Sequence, residues 1–326
     1  MSTVRPLFRR AMTVLGVVLA ISGAAAQTYP SRPLAFVYPY PPGSATEVAF
    51  RVIVQEAAKR LGQTIVFENR SGAIGRIGFE HVLRSPADGY TIGLLNNVLG
   101  VSLPLIDPKT YVEPGRDYTP IALAVESYLL LVARAGEPYR DVRGLVEYAR
   151  SHPGKLNMAT PGTGTGAHLV LALLGARAGA DIAHIPYKGT APATLAILAG
   201  EVNLTLTDTS VRSHVESGKL IALATTGMQR WASFPNVPTF DEQGLKGVSY
   251  GAWSGVIGPP GLPGPIALRL NRAFIDALSS PDVRARLDAS GLVPRGGPPE
   301  EWATHIRSEL ALWRPIVQGA NIKPEP

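Results

Sequence analysis

The stretch Tyr38–Glu47, YPYPPGSATE, decides the fold. Before it lies the apolar run LAFV (34–37), and after it VAFRVIVQEAAKRL (48–61). The first reads as a strand. In the second, Ala49, Ile53, Ala57 and Leu61 recur every fourth residue with Val52 beside them, which predicts an amphipathic helix from about Thr46 to Leu61. Pro39, Pro41 and Pro42 stiffen the turn between them. Ser44-Ala45-Thr46-Glu47 matches the S-x-x-E capping box. Ser44 is expected to accept from the Glu47 N–H, and Glu47 to reach back to the Ser44 N–H. Such a turn holds one helix N-terminus in place, and the free N–H groups there attract anions.

The same unit recurs outward along the chain. TIVFE (64–68) leads through Asn69-Arg70-Ser71-Gly72 into a helix ending near Arg84, and the turn PADGY (86–90) leads into TIGLL. After residues 118–134 the alternation restarts. A helix is predicted over 141–154, a strand over 155–160, a helix over 167–178, a strand over 182–187 and a helix through Leu198. VNLTLTD (202–208) and KLIALATT (219–226) follow. Beyond the run at 250–264 the pattern is helical, with prolines near the starts at 265, 281 and 298. This alternation predicts an α/β protein with parallel sheets covered by helices. The length favours two domains. Residues 27–124 and 251–326 are expected to form the first, and 125–250 a second α/β domain inserted into it. The chain then crosses twice between them, near 120–133 and 250–258, which allows hinge closure over a cleft.

Composition narrows the function. The 326 residues include no cysteine, which excludes disulfides, thiolate metal sites, a cysteine nucleophile and a lipoprotein anchor. Arg5, Arg9 and Arg10 precede an apolar stretch ending in Ala24-Ala25-Ala26. Residues 1–26 therefore read as a cleaved signal peptide, and export to the periplasm without membrane insertion is expected. Losing those three arginines takes the formal charge from +6 to +3. With no basic block or aromatic-basic interleaving, nucleic acid is not an expected partner.

Ligands of open α/β sheets bind beyond the carboxyl ends of strands. Two strand-to-helix loops stand out there, YPYPPGSATE and ATPGTGTGAH (159–168). Facing each other across a cleft, their helix N-termini would hold a small carboxylate. Gly162-x-Gly164-x-x-Ala167 also fits a dinucleotide fingerprint, but the acid about 20 residues on, Asp181, opens its strand instead of closing it. The six histidines lack metal-ligand spacing. His168, where a helix begins, is expected to satisfy a loop carbonyl, and His184 to pack. Lys188 follows a strand and reads as solvated or as a ligand contact. Asp208 reads as a helix cap or a ligand contact. An exported hydrolase or isomerase using Glu47 or Asp208 as general base is the alternative reading, although no acid–base pair supports it.

Taken in order, YPSRPLAFVYPYPPGSATE, FENRSGAIGRIG, PADGYTIGLLNN, KLNMATPGTGTGAHL, IPYKGTAPA, LTDTSVRSHVESGKLIALATTG and FPNVPTFDEQG resemble the Bug (TctC-like) family. These are the periplasmic solute-binding proteins of tripartite tricarboxylate transporters. The resemblance covers about Tyr29 to Lys323. It implies a two-domain, type II periplasmic-binding-protein (Venus flytrap) fold with the ligand cleft between the domains. It also implies a monomer that is not an enzyme, carries no cofactor or metal, and delivers a small organic acid to membrane permease subunits or to a sensor. The ligand-binding residues it implies are Tyr40, Pro42, Gly43, Ser44, Thr46 and Glu47 in the first loop, Ser71, Gly72, Ala73 and Ile74 in the second, and Asn96. From the inserted domain come Gly162, Thr163, Gly164, Thr165, Tyr187, Lys188 and Asp208. Three positions depart from the family pattern: Ser44 and Ile74 stand where glycines are usual, and Glu47 where aspartate is. In relatives that hold amino acids that aspartate suits the ligand's ammonium group, so the capping reading of Glu47 competes with a ligand contact.

Overall fold

The computed structural model describes residues 29–320 and 322. The signal-peptide reading of residues 1–26 lies outside them. Two sheets organise the chain. The first has six strands in the order β11-β4-β10-β3-β1-β2. Its members are β1 (Leu34–Tyr38), β2 (Ile65–Asn69), β3 (Thr91–Asn96), β4 (Thr119–Ser127), β10 (Ala252–Gly258) and β11 (Val293–Pro294). The second has five, in the order β7-β6-β8-β5-β9. These are β5 (Leu130–Arg134), β6 (Asn157–Thr160), β7 (Ala183–Pro186), β8 (Leu204–Thr207) and β9 (Leu220–Thr225).

The helices follow the sequence reading closely. They are α1 (Ala45–Leu61), α2 (Arg76–Leu83), α3 (Leu103–Ile106), α4 (Val142–Ser151), α5 (Gly166–Ala178), α6 (Thr190–Ala199), α7 (Arg212–Glu216), α8 (Gly264–Leu278), α9 (Pro281–Ala289) and α10 (Pro299–Gly319). In α1 the predicted stripe Ala49, Ile53, Ala57 and Leu61 is buried, and Gly62 ends the helix in the left-handed conformation at φ 71°. Strand β1 alternates between two cores, as its two-residue period requires. Leu34, Phe36 and Tyr38 meet α1 and Phe274 of α8, while Val37 joins Phe79, Trp253, Trp302 and Ile306 on the other face. That second core continues through α5 and α10 into the inserted sheet, where it takes in Leu131, Met158 and Leu206.

The expectation of parallel sheets needs correction, because both are mixed. β1 pairs in parallel with β2 and β3, and β6 with β7 and β8. But β10 runs antiparallel to β3 and β4, and β5 antiparallel to β8 and β9. β10 and β5 are the strands by which the chain enters a sheet after leaving the other. They arrive from the opposite end and so run against their neighbours. The first crossing takes only Tyr128 and Leu129, and the return runs from Thr225 to Ala252. The helical stretch from Val98 to Ile106 has no counterpart in the sequence reading. Gly100 is small for a packing reason: a Cβ there would stand 2.9 Å from the Trp253 ring.

Candidate functional site

The first loop is locked from inside. Ser44 caps α1, its Oγ accepting the Glu47 N–H at 3.0 Å. The Glu47 carboxylate reaches Gly43, one residue further out than expected, and accepts its N–H at 2.7 Å. Its other oxygen accepts from Arg51 Nε at 2.6 Å. Arg51 lies over the Phe67 ring and donates to Asn69 Oδ1 at 2.9 Å, and Asn69 Nδ2 donates to the Tyr40 carbonyl at 3.1 Å. One chain of bonds thus ties the loop after β1 to the end of β2. The Glu47 side chain is 4% exposed. The Gly43 N–H, and then Arg51, hold its carboxyl below the ordinary range against the opposing pull of burial. A general base working near neutrality needs the reverse, so Glu47 is not poised for that role.

Beside this loop opens a cavity of about 570 Å³ at the carboxyl ends of β1 and β3. Tyr40, Pro42, Gly43, Ser44, Thr46 and Asn96 of the expected residues line it. Asn97, Ser127 and Ser254 line it too and were missed. Asn97 and Ser127 sit at the ends of β3 and β4, and Ser254 lies near the start of β10; nothing else in the sequence marks them. Leu94, Val125, Trp253 and Leu292 supply apolar wall, and among the described residues no charged side chain lines the cavity. The polar groups divide into two sets. Tyr38 and Ser44 hydroxyls bond each other at 2.9 Å, and Tyr40, its phenol pushed up by burial, donates to Asn96 Oδ1 at 3.0 Å. Asn97 donates to the Tyr250 hydroxyl. Among the described residues, the Thr46 and Ser254 hydroxyls and the Asn96 amide nitrogen have no partner, so each remains available to a bound molecule.

Ser71, Gly72, Ala73 and Ile74 do not line the cavity. They form the layer outside Tyr40, where a Cβ on Gly75 would stand 3.0 Å from the Tyr40 ring. Gly72, Ala73, Ile74 and Gly75 all have positive φ, at 136°, 46°, 57° and 91°. The Gly75 N–H closes the turn onto the Gly72 carbonyl at 2.9 Å, leaving the Ala73 and Ile74 N–H groups without an acceptor among the described residues. Left-handed backbone costs a residue with a Cβ about 1–2 kcal/mol.

Gly162, Thr163, Gly164 and Thr165 lie on the inserted sheet and line no part of that cavity, nor do Tyr187, Lys188 and Asp208. The Thr165 hydroxyl donates to the Gly162 carbonyl at 2.7 Å. A Cβ on Gly164 would stand 2.6 Å from Ile106, and one on Gly166 would enter the Tyr250 ring and hydroxyl. The glycine-rich loop therefore abuts the first sheet's surroundings next to the cavity wall. The Tyr187 phenol turns to Glu201 at 3.3 Å. Lys188 is exposed, and Asp208 accepts the Ser210 N–H at 2.9 Å, a turn role. Among the described residues no group of three or more His, Cys, Asp or Glu is placed to hold a metal ion.

His168 has a different job from the expected one. Its Nδ1 accepts the Gly164 N–H at 3.2 Å, and its ring stacks on His184 with centroids 3.7 Å apart. His184 Nε2 in turn meets the Thr160 hydroxyl at 2.6 Å. Burial, then the proximity of His184, holds His168 down to about 4. An unfolded histidine titrates near 6.5. Between these values the unfolded chain binds a proton that the native one does not, so stability falls as pH drops from 6.5 towards 4 and levels off below. Urea titrations across that window are expected to show a loss of about 2 kcal/mol, less than ~1.4 kcal/mol for each pH unit of the window would give because the ring is partly open to solvent, and His168→Gln, which keeps an acceptor for Gly164, is expected to remove it.

The geometry matches known proteins over nearly its whole length. The model of the tripartite tricarboxylate transporter family receptor, TctC, matches residues 49–322. A protein described as "UPF0065 protein in tcbD-tcbE intergenic region" from Pseudomonas sp. strain P51 is 36% identical, covering 95% of this chain and 93% of its own length. Protein BugT of Bordetella pertussis is 34% identical, over 96% and 99%. Among solved structures, the periplasmic binding protein BugD superposes with a TM-score of 0.73 at 31% identity, over 91% of this chain and 100% of its own. MatC from Rhodopseudomonas palustris, solved with bound malate, gives 0.72 at 33% identity over 89% and 100%. Rpa4515 of R. palustris, solved with adipate, gives 0.76 at 30% over 91% and 100%. From the helix that carries the locked first loop to the end of the described residues, the chain belongs to the TctC family of tripartite tricarboxylate transporter receptors, which are periplasmic solute-binding proteins.

Proposed function

We propose that the protein is exported to the periplasm and works there as a monomeric, non-catalytic clamp for a small organic carboxylate. Residues 27–124 with 251–326 form one jaw and 125–250 the other, and the loaded clamp hands its solute to the permease of a tripartite tricarboxylate transporter. The observation that carries this reading is the cavity's donor set. Thr46, Ser254 and Asn96 offer neutral donors next to the N-terminus of α1, while the loop's acid is turned inward. Neutral donors and a helix N-terminus hold a carboxylate without a counter-charge. Gly162–Thr165, Tyr187, Lys188 and Asp208 would meet the solute from the second jaw on closure. The malate and adipate held by related structures support a carboxylate of four to six carbons.

Thermal unfolding of the mature protein with a panel of mono-, di- and tricarboxylates tests this. A specific ligand at 100 times its Kd is expected to add about 2.7 kcal/mol of stability. Thr46→Val with Ser254→Ala is expected to weaken binding at least tenfold, and the solute is expected to be recovered unchanged. Chemical conversion of the bound acid, or stabilisation by amines and neutral sugars alone, would refute the reading.

A further inference from the structure

The two segments that join the sheets meet at one buried residue. Thr226 directly follows β9 and is fully buried. Its N–H donates to the Leu129 carbonyl at 2.9 Å, and its hydroxyl accepts the Leu129 N–H at 2.9 Å. The same hydroxyl donates to the Tyr250 carbonyl at 2.8 Å, and the Thr226 carbonyl accepts the Tyr250 N–H at 2.9 Å. Leu129 of the first crossing and Tyr250 of the return are thereby fixed to the inserted sheet. On the other side, Ser127 pairs with Ala252 in the first sheet. Between these attachments stands one residue on each crossing, Tyr128 and Gly251. A rotation of one sheet against the other is absorbed by the few residues that neither sheet holds.

One carboxylate meets both of them. Glu126 belongs to β4. Arg295 is anchored to the same strand by its N–H on the Ala124 carbonyl at 2.9 Å, and its Nε stands 3.4 Å from Glu126 Oε2. That oxygen also accepts the Tyr128 hydroxyl at 3.2 Å, and Glu126 Oε1 fills the space a Cβ on Gly251 would need. The Tyr128 ring packs on the inserted side, edge-on to the buried Trp231 with centroids 6.2 Å apart and beside Gly227. Trp231 Nε1 donates to the Gly291 carbonyl at 3.2 Å, and Gly291 precedes Leu292 of the cavity wall. Two acceptors of the first sheet's side, Glu126 and Gly291, thus hold two aromatic donors packed with the inserted sheet.

We infer that Glu126 and Tyr128 form a latch on the hinge that holds the clamp open, so that two residues outside the cavity set the affinity for the solute. This rests on the clamp reading and adds to it the contact that closure breaks. The arrangement seen is the open one, because among the described residues the inserted sheet and its loops contribute nothing to the cavity wall. Closure carries Tyr128 and Trp231 with the inserted sheet, away from Glu126 and Gly291. A contact made in one state and lost in the other sets the balance between them. The solute binds a closed state that the latch keeps scarce, and its apparent affinity scales with the fraction of molecules already closed.

Spin labels on the mature protein test this. The chain has no cysteine, so Val48→Cys near the start of α1 and Ala191→Cys near the start of α6 place one label on each jaw, both at exposed positions. Pulsed electron paramagnetic resonance without ligand is expected to give mainly the longer of two distances. Tyr128→Phe keeps the ring on Trp231 and removes the hydroxyl, and it is expected to raise the population at the shorter distance by about threefold or more. Gly251→Ala, whose Cβ drives the Glu126 carboxylate from its place, is expected to do the same, and the two changes together to add little to either alone. Titrated with adipate and with malate, Tyr128→Phe is expected to bind whichever acid the native protein binds more tightly than the native protein does, by the factor its closed population gains. Unchanged distances in both variants, a shift to the longer distance, or affinity that falls while the closed population rises overturns the inference. If neither acid, nor any other mono-, di- or tricarboxylate, binds the native protein or shortens its distance, the clamp reading falls. The ligand-free distances still decide separately whether Tyr128 and Glu126 hold one arrangement of the two sheets.

Discussion

Gly166→Ala is expected to destabilise the protein by about 3 kcal/mol and to cost most of its ligand affinity. Helix propensity alone points the other way, since alanine in a helix is favoured over glycine by about 1 kcal/mol. Sterics decide the sign. Gly166 is the first residue of α5, and a Cβ there would overlap the hydroxyl and ring of Tyr250. Tyr250 has nowhere to go. It is 6% exposed, its backbone pairs with Thr226 at the end of β9, and its ring stands edge-on to Trp313 of α10. Its hydroxyl accepts from Asn97, a wall of the cavity. Relieving the overlap therefore means moving α5 and its glycine-rich loop, or moving Asn97. Overpacking of this kind costs about 1–3 kcal/mol, and more where the neighbours are fixed. A double-mutant cycle in urea isolates the cause. Adding Gly166→Ala to Tyr250→Ala is expected to cost under about 0.5 kcal/mol more, because the overlap needs both partners. Additive losses would place the defect in α5 itself.

That junction shows where sequence reading stops. The strand, turn and helix from Leu34 to Leu61 were legible because their signals are local: a period of about four in α1, prolines in the turn, serine at the cap. The two-unit α/β plan followed from the same signals repeated. Asn97, Ser127 and Ser254 were not legible as cavity walls, because they meet only through the pairing of β3, β10 and β4, whose partners lie far apart in sequence. Strand direction failed for the same reason: nothing in Ala252–Gly258 records from which end the chain arrives. Asn69-Arg70-Ser71-Gly72 read as the lead into a helix, but Gly72 and Gly75 do not reveal that Ile74 between them is itself left-handed. The capping box was right in its serine half. Its glutamate reached one residue further out, accepting from the Gly43 N–H, while Arg51, a full turn along α1, holds its other oxygen.

Glu47 therefore allows a sharp comparison. Glu47→Gln is expected to keep ligand affinity within about threefold, whereas Glu47→Ala is expected to lose ten- to a hundredfold and about 2–3 kcal/mol of stability. Glutamine retains an oxygen for the Gly43 N–H at nearly the same place. Arg51 loses its charged partner but keeps the Phe67 ring and Asn69. Alanine removes both acceptors, leaves the Gly43 N–H unpaired and frees Arg51 to pull on Asn69, which holds the Tyr40 carbonyl. An abandoned donor costs about 1–3 kcal/mol, and a loop displaced by 1 Å no longer presents Thr46 to the cavity. The native pair also carries a pH signature. Because the folded carboxyl titrates below its unfolded value, its contribution is complete above the unfolded value and is lost as pH falls through the folded one. Glu47→Gln is expected to remove that acid-side loss while leaving the His168 window at higher pH in place. A ligand that carries an ammonium group and binds through Glu47 would reverse the order, with Glu47→Gln as damaging to affinity as Glu47→Ala. Titrating both variants with one carboxylate and its amino counterpart separates a cap from a contact.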